Sequence, residues 1–402
     1  MRHIAASRPV GGACGGHLAL NGSFSAMTSP LPRSGTRVLD APATDRQALI
    51  DLLAGDGPAI GPTTYDRFEA WWYGAAANTK RAFAADMRAW GAFRTSRGQP
   101  MIPAGAIDVR DFARAQVRAG LKASSIARQL ASISILHDLA GIPSPTRDRV
   151  VSGEMKGIRR EEGLGARSRR RQALPLRLKG EVGDIIADKP LPLSVMALLT
   201  TLDTTTAAGA RDAVLLLLGT DLGRRRSEYA AMNVDDVRKA GDGSGTMLIR
   251  RSKTDQSGEG RVKYLSPDAM TAIATWLAIR ETASSSPLLK DAPLLASVDR
   301  FGRVGGRLSD DGIRDVLLRI ARRGLKQLQP ELDDAAIDDQ CRGLSGHSLR
   351  VGFAQDLTAA GEGLAAICQA ADWSSPAMPT RYAEALAARS GAVARLRRRV
   401  SL

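Results

Sequence analysis

Six side chains in the second half of this 402-residue chain carry groups that can act on a phosphodiester: Arg225, Lys253, His347, Arg350, Trp373 and Tyr382. They stand in four stretches, GRRRSEYAAM (223–232), LIRRSKTDQSGEGR (248–261), SGHSLRVGFAQDL (345–357) and DWSSPAMPTRYAEA (372–385). Attack on such an ester needs a nucleophile, charge to stabilise the non-bridging oxygens, and a proton for the leaving oxygen. Arg225 and Arg350 offer permanently charged forks that grip two oxygens at once. Arg350 follows His347 by three residues, a spacing that puts both on one helical face. Trp373 has an indole N–H, a donor that cannot shuttle a proton. Tyr382 is a phenol with an ordinary pKa near 10. A cluster of cations favours loss of its proton, and the phenolate can form a covalent phosphoester. Lys253 follows an apolar strand at a polar turn, where a mobile ammonium can protonate the leaving 5′ oxygen. Glu228, three residues after Arg225, is suited to orienting a neighbouring cation. Arg224 and Arg226 flank Arg225, so residue type alone does not separate the three.

In this order, R-x-S-E, K-T-D, H-S-L-R, W and Y resemble the motifs of the tyrosine recombinase (phage integrase) family across the whole C-terminal half. The resemblance selects Arg225, because the family's arginine stands two residues before the Ser of R-x-S-E. Trp373 takes the place of a histidine found in many members, and Tyr382, nine residues later, takes the nucleophile's place. The implied activity is site-specific DNA recombination. One strand would be cleaved to a 3′-phosphotyrosyl link and rejoined, with neither metal nor ATP, on double-stranded DNA, by a homotetramer on synapsed sites. A type IB topoisomerase shares this chemistry, and a catalytically silent DNA-binding relative of integrases is a further alternative.

Composition is consistent with this reading. A formal charge of +15 favours a polyanionic partner, nucleic acid before membrane. The three cysteines, Cys14, Cys341 and Cys368, lie far apart with no C-x-x-C pair, which argues against a zinc module or a disulfide framework and fits a reducing cytoplasm. His3, His17 and His137 form no cluster with His347, so no metal site is expected. No apolar run reaches the ~18 residues of a membrane span. No G-x-G-x-x-G follows a strand, and no Walker lysine motif occurs.

The elements that must position these residues follow from periodicity. The expected fold class is mainly α: a helical, SAM-like core-binding bundle, then a mixed α/β catalytic domain with a small antiparallel sheet. Residues 1–58 read as a disordered tail with a short helix near 46–53, and Met27 could serve as the start as well as Met1. Residues 59–155 show 3.6-type apolar spacing in four segments, with Asn78 and Ser124 as expected N-caps. NTKRAFAADMRAWGAFRTSRG and LKASSIARQLASISILHDLAG are the lines that resemble the family's SAM-like domain. Residues 156–188 read as a basic interdomain linker. Within 156–180, nine Lys and Arg face only Glu161 and Glu162. Lys156, Arg159, Arg160, Arg167, Arg169, Arg170 and Arg171 are therefore expected to lie along DNA phosphates. Residues 189–402 form the expected catalytic domain, with TMLIRRSK and GRVKYLS as paired strands. Tyr229 and Tyr264 read as packing residues. After Tyr382 the chain is alanine-rich and then basic, where the resemblance implies a helix docked on a neighbouring subunit.

Overall fold

A computed structural model describes residues 62–164, 173–180, 185–186, 189–190, 193–250, 259–283 and 288–384, with isolated positions beyond. The chain divides into two compact units, residues 1–168 and 169–402. The expected helix at 46–53 and most of the stretch after residue 384 lie outside the described residues.

In the first unit, apolar residues recurring every three to four positions fold as helices around one core. These are α1 (Pro62–Gly74), α2 (Ala77–Thr95), α3 (Ala106–Arg118), α4 (Ala123–Ala140) and α5 (Arg149–Leu164). Trp90 is fully buried at the centre, edge-on to Phe112 and donating its indole N–H to the Met101 carbonyl at 2.9 Å. Helices α2 and α4 are capped two residues before the expected positions. Ala76 and Lys122 occupy the N-cap positions without side-chain bonds, while Asn78 and Ser124 lie in the first turn.

Helix α5 corrects the expected domain boundary. Residues 156–164 are not linker: Val151, Met155 and Ile158 are buried in the bundle core, so the helix runs on as part of the bundle. Lys156, Arg159 and Arg160 occupy its exposed face. Arg167, Arg169, Arg170 and Arg171 lie outside the described residues. Residues 174–178 are not a free strap either. Leu176 and Arg177 are buried, and Leu174 N–H donates to the Gly343 carbonyl at 2.9 Å.

The second unit is built on α7 (Ala207–Leu222), which follows the short α6 (Val195–Leu199) and is apolar on nearly every side. Thr206 caps α7, its hydroxyl accepting from Gly209 N–H at 3.1 Å. The unit also holds α8 (Arg226–Ala231) and two small strands, β1 (Ile185–Ile186) and β2 (Lys189–Pro190), paired with each other. A three-stranded antiparallel sheet follows: β3 (Val237–Lys239), β4 (Gly245–Ile249) and β5 (Arg261–Leu265). Its register pairs Met247 with both Val237 and Lys263. Strands β4 and β5 are the expected pair, and β3 adds a third. Tyr229 is buried as expected, but Tyr264 is exposed on β5, because the sheet turns that side of the strand to solvent.

Then come α9 (Pro267–Ala283), the hairpin β6 (Ala296–Val298) and β7 (Val304–Arg307), and α10 (Asp310–Leu328). The last helices are α11 (Asp334–Cys341), α12 (Ser348–Ala359), α13 (Leu364–Ala371) and α14 (Ala377–Tyr382). No helix among the described residues is long and apolar enough to cross a membrane.

The segment 174–178 crosses α12 at Gly352, and a Cβ there would meet the Leu176 carbonyl oxygen at 1.9 Å. Asp356 holds the crossing, accepting from Arg177 Nε at 2.8 Å and from Leu178 N–H at 2.7 Å. Backbone against backbone cannot yield by rotamer change. Gly352→Ala is therefore expected to destabilise this unit by about 3 kcal/mol, the upper part of the overpacking range, read as a lowered urea midpoint. An unchanged midpoint would mean that the crossing is loose.

Candidate active site

The site is assembled at three helix ends. Helix α7 stops at Gly223, which adopts the left-handed conformation (φ 53°) against the Phe353 ring, where a Cβ would stand only 2.4 Å from the ring edge. The next helix begins two residues later with Arg225 as its N-cap. Its backbone N–H donates to Glu228 Oε2 at 3.3 Å, and its Nη1 donates to Glu228 Oε1 at 2.7 Å. Buried Glu228 thus both closes the first turn and aims the guanidinium, which stays one quarter exposed.

Arg350 enters from α12 and is almost fully buried. Its Nη1 donates to the Gly223 carbonyl at 2.7 Å and its Nη2 to the Ala371 carbonyl at 2.9 Å. The guanidinium sits 4.2 Å from the centre of the Trp373 ring, a cation–π contact. Burial, and then the charge of Arg225, draw its pKa down to about 10, so it stays cationic at neutral pH. A guanidinium has five N–H groups. With two spent on carbonyls, the others remain to meet an oxyanion.

His347 occupies the N-cap position of α12, and its Nε2 lies 2.6 Å from the Tyr382 hydroxyl. The imidazole is pushed down to about 4, first by burial and then by Arg350 and Arg225. It is therefore neutral near pH 7, and Nε2 can accept the phenolic proton. Tyr382 closes α14 beneath Trp373, with ring centres 6.0 Å apart. Gln355 Nε2 donates to the Tyr382 carbonyl at 2.9 Å and fixes the end of that helix. Burial raises the phenol's pKa, which Arg350 and Arg381 partly offset. A base in contact and nearby cations are what such a phenol requires to act as a nucleophile.

Five of the six residues read from sequence thus converge: Arg225, His347, Arg350, Trp373 and Tyr382. Lys253 lies outside the described residues. The reading missed a buried ion pair behind the site. Arg224 is fully buried and pairs with Asp372, which also takes Lys263 Nζ at 2.9 Å and Arg261 Nη1 at 3.0 Å. Asp372 adopts a left-handed conformation (φ 51°), uncommon outside glycine. Burial alone would raise its pKa, but Lys263 and Arg224 hold it below the ordinary carboxylate value. Three arginines in a row were the only hint, since the partner stands 148 positions away. Among the described residues no group of three His, Cys, Asp or Glu side chains is placed to hold a metal ion.

Known proteins share both units. The chain matches the phage integrase family over residues 192–389 and the phage integrase N-terminal SAM-like domain over residues 73–140. It is 27% identical over 312 residues to the recombinase Cre of Escherichia phage P1, covering 77% of this chain and 84% of Cre. An integrase/recombinase XerD homolog of Selenomonas ruminantium is 24% identical over 282 residues, 69% of this chain and 72% of the homolog. In fold it is similar to the XerH site-specific recombinase bound to palindromic difH substrate, with a TM-score of 0.53 and 14% identity over 90% of this chain and 91% of that one. The Tn1549 transposon integrase in complex with transposon right end DNA gives a TM-score of 0.51 and 16% identity, over 80% of this chain and 93% of that one. With motif order, fold and relatives in agreement, this chain belongs to the phage integrase family and is a tyrosine recombinase.

Proposed function

We propose that this recombinase cuts and rejoins one strand of duplex DNA at a time with Tyr382 as nucleophile, His347 as its proton acceptor, and Arg225 and Arg350 as the grip on the scissile phosphate. The supporting observation is the 2.6 Å contact between His347 Nε2 and the Tyr382 hydroxyl, set against two arginines whose acidic and carbonyl partners already hold them in place. The Tyr382 oxygen attacks phosphorus, its proton passes to Nε2, and the bond to the 5′ oxygen breaks. The product is a 3′-phosphotyrosyl ester and a 5′ hydroxyl. Rejoining reverses these steps, with a 5′ hydroxyl displacing the tyrosine, so the ester stores the energy of the broken bond. Trp373 packs Arg350 against the tyrosine. Lys253 is assigned the proton donor for the leaving oxygen.

Exchange between two duplexes involves four strands and so four nucleophiles, which supports a homotetramer on paired sites. The basic residues at 156–171, among them the exposed Lys156, Arg159 and Arg160, are assigned to backbone phosphates. A cytoplasmic setting belongs to the same reading.

Tyr382→Phe is expected to bind DNA with unchanged affinity yet form no covalent complex on nicked suicide duplexes, scored by denaturing gel. A covalent band from this variant would remove Tyr382 from its role.

Lys253→Ala is expected to stall at protonation of the leaving group. An alkoxide is a poor leaving group, with a parent acidity comparable to water's pKa of about 15.7. A bridging sulfur departs as a thiolate of parent pKa about 8.5 and needs no donor. DNA carrying a 5′-bridging phosphorothioate is therefore expected to restore cleavage by Lys253→Ala but not by Arg225→Ala or Arg350→Ala. Equal behaviour of all three would transfer the role away from Lys253.

The pH profile follows from His347. Its neutral form accepts the proton, so cleavage is lost as pH falls through its pKa. In the free protein that value is about 4, depressed by burial and the two arginines. A docked phosphate offsets part of that positive field, so the value in the complex is higher. Single-turnover cleavage is expected to show its acid limb at higher pH with saturating DNA than with subsaturating DNA, which reports the free protein. Coincident limbs would mean that phosphate binding leaves His347 unaffected.

A further inference from the structure

Outside the cleavage site, one surface feature joins an exposed aromatic ring to two cations on a rigid support. Phe301 sits at the tip of the β6–β7 hairpin and is 70% exposed. The guanidinium of Arg300 lies 4.7 Å from its ring centre and that of Arg303 lies 5.8 Å away. The tip is a built turn. Asp299 Oδ1 accepts from Phe301 N–H at 2.8 Å and from Arg303 N–H at 2.9 Å, while Asp299 N–H donates to the Arg303 carbonyl at 3.0 Å. Gly302 supplies the positive φ (82°) the turn needs. The turn thus holds a large apolar ring out in water.

The hairpin is also fastened beside the cleavage site. At its base, Arg307 donates to the carbonyls of Ala230 and Met232 at 2.8 and 3.2 Å, the residues that end the helix begun by Arg225. Four residues on, Asp311 accepts from Arg226 at 2.7 Å, next to Arg225 itself. The four residues of β7 and the turn reach about 15 Å from that base, at ~3.3 Å per residue.

We propose that the tip Arg300–Phe301–Gly302–Arg303 is a DNA contact that grips the duplex within about one turn (~10 base pairs) of the cleaved phosphate. The two arginines would meet backbone phosphates, and Phe301 would enter the minor groove as an apolar wedge against a base step. Two guanidinium groups held within 6 Å of the ring centre match a groove whose walls are phosphates and whose floor is base edges. The proposal rests on DNA being the substrate, and it adds a contact that the cleavage chemistry does not require.

The test uses the full chain and a duplex that the wild-type protein cleaves, with binding measured from 50 to 200 mM salt. Arg300→Ala/Arg303→Ala is expected to weaken binding and to flatten the log K against log salt slope by up to ~1.8, at ~0.9 per phosphate contact. Phe301→Ala is expected to weaken binding about tenfold with the slope unchanged, since an apolar wedge releases no counterions. It should also abolish the fluorescence rise of a 2-aminopurine placed under the tip, scanned across one turn on each side of the cleavage point. Folding of each variant is checked by its thermal midpoint, because Asp299 and Gly302 are left intact. Wild-type affinity, slope and fluorescence in both variants would overturn the proposal, as would a changed oligomeric state of Phe301→Ala without loss of DNA affinity. Failure of the wild-type protein itself to bind or cleave DNA would instead overturn the functional reading beneath it.

Discussion

Everything at the candidate active site hangs on the buried guanidinium of Arg350. It reaches from α12 to the end of α7 through Gly223 and to the end of α13 through Ala371, and it lies against Trp373. Those three ends carry Arg225, His347 and the approach to Tyr382. A buried charge tolerates only well-directed partners. The site is accordingly specified by backbone carbonyls that rigid helix ends present, rather than by loops free to rearrange. Gly223 makes this possible, since any side chain there would displace Phe353 and with it the helix that delivers Arg350.

The same arrangement decides the electrostatics. Arg225 has Glu228 and Arg224 has Asp372 as carboxylate partners. Arg350 is held instead by carbonyl dipoles and a ring face. Burial first, and then the charge of Arg350 and Arg225, keep His347 neutral, and in the proposed function the same charge meets an anionic phosphodiester. On that reading, substrate binding and activation of Tyr382 draw on one field.

Much of this was legible from residue type and order. Arg225, His347, Arg350, Trp373 and Tyr382 were found because their chemistry is uncommon and their sequence of motifs is specific. The fold class followed from apolar periodicity, which is strong in α3 and α10, and from the continuous apolar run of α7. What failed, failed for local reasons. In α5 the charge run masked Val151, Met155 and Ile158, whose spacing of four and three is a helical stripe. The β6–β7 hairpin has strands of three and four residues containing Gly305 and Gly306, too short and too small for an alternating signal. Asn78 and Ser124 have good capping chemistry, yet their helices began earlier on Ala and Lys. Tyr264 has strand chemistry, but nothing local tells which face of a sheet is covered.

The pair Arg224–Asp372 has a consequence for how this site can change over time. Removing Asp372 strands the buried Arg224, typically at about 3–5 kcal/mol, whereas loss of Arg224 leaves Asp372 with Lys263 and Arg261. Glu228 stands 4.0 Å from Arg224, too far to take over the role unaided. The left-handed backbone at 372 narrows the route further, since glycine is its most comfortable tenant. The two positions therefore open in one order only: a lineage can give up Arg224 before Asp372 but not Asp372 before Arg224, and a swap of sequence between relatives that breaks the chain between residues 224 and 372 holds only where the incoming segment brings an acid for Arg224.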